Sequence, residues 1–119
     1  MFLVANSRLL LVFSVKDWTN SLILEHAPLD VRSGSESELE HAFSQARKII
    51  ESMPGFLGLR LLRCIEQSSK YLLIVEWRTL EDHTEGFRKS PSYQSWRNLL
   101  HHFYDPFPTV LHFIDTDQV

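Results

Sequence analysis

The strongest constraint in this sequence is a pair of runs that are apolar on both sides when extended. Residues 70–78 read Lys-Tyr-Leu-Leu-Ile-Val-Glu-Trp-Arg. Strand side chains alternate, so Tyr71, Leu73, Val75 and Trp77 point one way, and Leu72, Ile74, Glu76 and Arg78 the other. In residues 56–66 the same alternation sets Leu57, Leu59, Leu61 and Arg63 against Phe56, Gly58, Arg60, Leu62 and Cys64. The polar Gln67-Ser68-Ser69 between the runs reads as the turn of an antiparallel hairpin. An antiparallel sheet wetted on one side keeps that side polar, and these strands keep neither side polar. Both faces therefore need a cover. Helices of the same chain supply one, and the simplest second cover is another copy of the same sheet, twofold homodimers being the commonest oligomers. A homodimer is expected.

The flanking elements give the topology. Ser21 to Val31 reads as a first strand, with Pro28 requiring an edge or a loosened end because it cannot donate to a ladder. Arg32-Ser33-Gly34 turns the chain. Ser35 with Glu38 has capping-box spacing, and Leu39, Ala42, Phe43, Ala46, Ile49, Ile50 and Met53 then form one helical face. Pro54-Gly55 ends that helix. After the hairpin, Thr79 can cap a second helix on which Leu80, His83 and Phe87 share a side; Ser90-Pro91 interrupts it, and Tyr93, Trp96, Leu100 and Phe103 continue at helical spacing. Residues 109–115 close as a fourth strand, and residues 116–119 form a tail. The order β-α-β-β-α-β is the ferredoxin-like, α+β arrangement, with a four-stranded antiparallel sheet and helices on one face.

The chain has 119 residues, enough for one domain. Residues 1–20 hold two short apolar runs around Arg8, too short to span a bilayer and without a small-x-small cleavage site, so they read as an extension outside the domain at 21–115. A net charge of -3 with no Lys/Arg cluster gives no nucleic-acid footprint, and no membrane partner is expected. The single cysteine, Cys64, has no thiol partner for a disulfide or a metal and suits a reducing cytoplasm. Adjacent His101 and His102 point about 100° apart on a helix and chelate poorly, and no His/Glu set has ligand spacing, so no metal site is expected.

Several stretches carry a family resemblance: Met53-Pro54-Gly55-Phe56-Leu57-Gly58, Leu72-Leu73-Ile74-Val75-Glu76-Trp77, Leu80-Glu81-Asp82-His83, and Phe87-Arg88-Lys89-Ser90-Pro91-Ser92-Tyr93. In this order they resemble antibiotic biosynthesis monooxygenase domains, over nearly all of the chain from Ser21 to Asp115. The resemblance implies a ferredoxin-like fold pairing into a dimeric α/β barrel, with a pocket between sheet and helices. It also implies oxidation of a phenol, quinol or anthrone-like aromatic by dioxygen, without metal or flavin. Other members cleave haem or isomerise small signalling molecules, and fold alone does not choose among them. The haem-cleaving branch places an Asn on the first strand and a His late in the second helix; here Ala27 or His26 and Gly86 or Phe87 stand there, which counts against haem degradation.

The candidate site residues follow. Trp77, at a strand end where the family often has a Trp facing the helices, can stack on a flat substrate or serve as a core aromatic with its N–H satisfied. His83 shares a helix face with Phe87, and its near-neutral pKa suits proton transfer from a phenol; the plain alternative is a hydrogen-bonded histidine near a helix start. Glu25 and His26 are neighbours on a strand, so one of them faces the helices; His26 is either a second base or a polar group at the dimer interface. Arg60 and Tyr71 can bind an anionic or phenolic group from the helix side, or make surface contacts. Tyr104 and Asp105 fall at a loop rim. The rival to an oxygenase is a non-catalytic dimeric barrel module that binds a small apolar metabolite.

Overall fold

The computed structural model describes residues 22–118. The extension expected over residues 1–20 and the last residue of the expected tail lie outside the described residues. Strands β1 (Ile23–Asp30), β2 (Phe56–Arg63), β3 (Lys70–Trp77) and β4 (Leu111–Ile114) form one antiparallel sheet in the order β2-β3-β1-β4. Helices α1 (Glu36–Glu51) and α2 (Pro91–Leu100) pack against each other, and their buried residues join those of the sheet in one core. This is the ferredoxin-like arrangement.

Burial follows strand parity. Glu25, Ala27 and Leu29 of β1 and Tyr71, Leu73, Val75 and Trp77 of β3 are buried toward α1, whose Leu39, Phe43, Ala46 and Ile50 are its buried positions. Strand β4 pairs with β1 only through Ile23 to His26, so Pro28 lies where the outer side of β1 has no neighbour. Gly55 has φ +83, and a Cβ there would overlap the Asp82 carboxylate; glycine is required on both counts.

Three local readings change. A bulge between Phe56 and Gly58 breaks the simple alternation of β2: Phe56 pairs with Trp77 and sets its ring edge-on to it, while Leu57 is 47% exposed. Ser35 makes no capping hydrogen bond from its side chain, because its backbone (φ -103, ψ 9) lacks the extended geometry that aims the hydroxyl into the first turn; the Glu36 carboxylate accepts from the Gly34 N–H instead. The segment after β3 is a wide π-helical turn, Asp82–Phe87, closed by the Arg88 N–H donating to the His83 carbonyl. That turn buries His83 and Phe87 and leaves Leu80 39% exposed, so the three do not share a buried side. Thr79 accepts from the Asp82 N–H, and Ser90 caps α2 by accepting from the Tyr93 N–H.

Candidate functional site

Where β1, β3 and the π-helical turn meet, three polar side chains run in series through an apolar core. Glu25 is buried at 6% exposure and His83 at 2%. The Trp77 Nε1–H donates to Glu25 Oε1 at 2.9 Å, and His83 Nε2 lies 3.3 Å from the same oxygen. On its other side, His83 Nδ1 lies 2.8 Å from Nε2 of His112, the residue paired with Glu25 on β4. The His83 ring stacks on Trp77 with centroids 5.4 Å apart and planes at 19°.

Burial sets the protonation of these groups. It lifts the Glu25 carboxyl to about 7, against the opposing pull of the Trp77 N–H and the Arg88 guanidinium. It lowers His83 to about 3, with Arg88 and then His112 adding to the effect. His112 is lowered by burial and by Arg88. A neutral His83 makes the Glu25 contact at 3.3 Å a polar one rather than an ion pair.

Glu25 and His83 line a small cavity of about 30 Å³, space for one or two waters. Its apolar wall includes Ala27, Leu73, Phe87 and Trp96, and its polar rim includes Arg88, Tyr93, His101 and Tyr104. Phe107, Pro108 and Val110, from the irregular chain before β4, close the mouth. His101 is held low, to about 4, by burial and then by Arg97 and Arg88; the Tyr104 hydroxyl is pushed up, chiefly by burial.

Of the residues singled out from sequence, His83 and Phe87 line this cavity. The near-neutral pKa expected of His83 is corrected downward by its burial. Trp77 is wholly buried behind Glu25, with one ring face taken by His83, so a ligand cannot stack there in this arrangement. Tyr71 faces the helices, but its hydroxyl donates to Glu40, which also accepts from Arg63. Arg60 is not on the helix side: it pairs with Ile74 and lies with Ile74 and Glu76 on the opposite face. His26 also points to that face, with its ring edge-on to Phe113.

Glu25, His112, Arg88 and His101 were not among the sequence candidates. For Glu25 a signal existed, since it shares parity with Ala27, Leu29 and Val31, whereas the alternate set contains Pro28 and Asp30. For His112 the deciding fact is strand register, which sequence does not display.

No three His, Cys, Asp or Glu side chains among the described residues stand together as a metal-binding set. No helix among them is long and apolar enough to cross a membrane.

The sequence model of the family described as antibiotic biosynthesis monooxygenase matches residues 22–99. An uncharacterized Bacillus subtilis protein, YczJ, is 55% identical over 94 residues, 79% of this chain and 99% of that protein. A Mycobacterium tuberculosis heme oxygenase (mycobilin-producing) is 30% identical over 70 residues, and the match spans 59% of this chain and 57% of that enzyme. Among solved structures, a Bordetella bronchiseptica protein described as a candidate antibiotic biosynthesis monooxygenase superposes with a TM-score of 0.78 at 33% identity, covering 81% of this chain and 98% of that one. SnoaB, a cofactor-independent oxygenase from Streptomyces nogalater, shares the fold with a TM-score of 0.64 at 20% identity, covering 81% and 92%. The chain belongs to the antibiotic biosynthesis monooxygenase family.

Proposed function

We propose that this chain is a cofactor-independent monooxygenase acting on a small electron-rich aromatic of the phenol, quinol or anthrone class, with Glu25 as its base. The observation that carries the reading is a buried carboxyl group lining a largely apolar and aromatic cavity that also holds Arg88 and His101, lifted to about 7 and therefore able to take a proton near neutrality. For an anthrone-like substrate the net change converts one ring methylene and one dioxygen into one ketone carbonyl and one water. Glu25 takes a proton from the substrate, and the resulting anion passes an electron to dioxygen. A carbon–oxygen bond then forms, the O–O bond breaks, and both methylene hydrogens leave with the second oxygen as water. His83, which sequence suggested as the base, instead holds Glu25 in place, as does Trp77. Phe87 is a wall of the pocket.

A haem, raised by the mycobacterial match, does not fit these residues. Neither ring nitrogen of His83 is free to hold an iron, Nδ1 lying 2.8 Å from His112 Nε2 and Nε2 3.3 Å from Glu25 Oε1. Oxygen uptake with a panel of anthrones and quinols tests the proposal, and Glu25→Gln should abolish most of it. No uptake with any panel member would refute it.

One observation favours the non-catalytic reading. The cavity of about 30 Å³ is smaller than an aromatic ring as it stands. Failure of every panel compound to raise the melting temperature, together with no oxygen uptake, would select that alternative.

We further propose that the open sheet face packs against a second copy. It carries Leu24, Leu72 and Ile74, with Leu62, Leu111 and Phe113 40%, 51% and 49% exposed, and the buried Nδ1 of His26 has no partner there. A monomeric mass in sedimentation at micromolar concentration would contradict this.

A further inference from the structure

We propose that His112 is the proton outlet of the buried site, and that His83 and His112 switch tautomer in step with the protonation of Glu25. The catalytic consequence rests on Glu25 acting as base; the hydrogen-bonded chain does not. When Glu25 is a carboxylate, His83 Nε2, 3.3 Å from its Oε1, faces that negative charge best as an N–H. His83 Nδ1 is then a lone pair, and its neighbour at 2.8 Å, His112 Nε2, must be the donor. When Glu25 is protonated the roles reverse: its O–H donates to His83 Nε2, and His83 Nδ1–H donates to His112 Nε2.

The two states differ by one proton, which moves without loss of balance. Glu25 gives its proton to His83 Nε2, His83 Nδ1 gives its own to His112 Nε2, and His112 Nδ1 releases one to water. Neither imidazole needs to hold a positive charge, which suits a core where, among the described residues, the Arg88 cation acts on both imidazoles, Tyr104 acts on Glu25, and Trp77 and Phe87 pack against His83. His112 is half-buried on the edge strand β4, and its Nδ1 has no protein partner among the described residues and is not among the buried unpartnered atoms. The chain therefore ends at water.

The test is the tautomer of each ring, read from long-range proton–nitrogen spectra of the nitrogen-15-labelled protein through the titration of Glu25. The expected result is that His83 passes from Nδ1–H to Nε2–H as pH rises, with His112 following. In Glu25→Gln, His83 should hold one tautomer throughout. His112 should change tautomer over the same pH range as His83, since it follows His83 through their 2.8 Å contact. In oxygen uptake, His112→Ala should lose roughly tenfold of kcat, and added imidazole should restore it, which a purely structural role would not allow. A His83 tautomer that does not change with pH in the unmodified chain overturns the proposal, and so does a His112 tautomer that stays fixed while His83 changes. A tautomer switch in a protein that consumes no oxygen would leave the relay standing and remove the oxygenase reading.

Discussion

The two faces of the one sheet treat polar groups in opposite ways. The helix-covered face buries Glu25 and His83 but supplies each with partners, from Trp77 on β3 and His112 on β4. The open face exposes leucine and phenylalanine and leaves the His26 Nδ1 without a partner among the described residues. A buried carboxyl is costly unless its hydrogen bonds are made, so the first face is complete within one chain, with its cost retained as a lifted pKa. The second face becomes complete when something apolar covers it. On the reading proposed above, chemistry would belong to the first and association to the second.

Breaking the closed face should have the largest effect. Trp77→Ala removes a wholly buried indole and the donor to Glu25, and should cost about 3–5 kcal/mol of stability in chemical denaturation. Glu25→Leu separates function from folding. Oxygen uptake should fall by roughly a hundredfold or more, while the denaturation midpoint above neutral pH stays or rises, since a buried ionisable group is gone. A fall in both would mean that Glu25 holds the fold together. On the open face, Ile74→Glu should convert the dimer to monomers in sedimentation and change the His83 spectrum little. If it altered the site as Glu25→Leu does, the division between the faces would fail.

The smallest effect is a shape rather than a loss. Glu25 is raised in the folded chain, so its contribution to stability is present below the ordinary carboxylate pKa and is lost as pH rises toward about 7. His83 is lowered, so its contribution is present above the ordinary histidine range and is lost as pH falls toward about 3. The two slopes oppose one another between the ordinary values of 4.5 and 6.5. Stability should be nearly flat in that window, and the slopes should emerge singly in variants: Glu25→Gln gaining stability with rising pH, His83→Phe losing it. Thermal melts across pH check both signs.

Much of the fold was legible because its signals are local. Gly55 marks its turn because the lack of a Cβ permits a positive φ, and Thr79 and Ser90 mark their caps through their own hydroxyls. The parity of Tyr71, Leu73, Val75 and Trp77 survives intact in β3. What failed was also local but finer. The bulge at Phe56 and the π-helical turn each add a residue to a repeat, and no composition signal marks the insertion. Of the residues expected to face the helices, His83 and Phe87 line the cavity, while Arg60 and His26 point to the other face, and Glu25 was passed over for its neighbour.

By itself, then, the sequence determined the order of elements, the helix-facing side of β3 and the need to cover both sides of the sheet, because hydrophobic periodicity and turn chemistry act over a few residues. Only the tertiary structure decided the site. Glu25, Trp77, His83 and His112 come from four separate elements, and their meeting depends on strand register and on one widened helical turn. The protonation of that group depends on burial, a property of the assembled core that no residue carries alone.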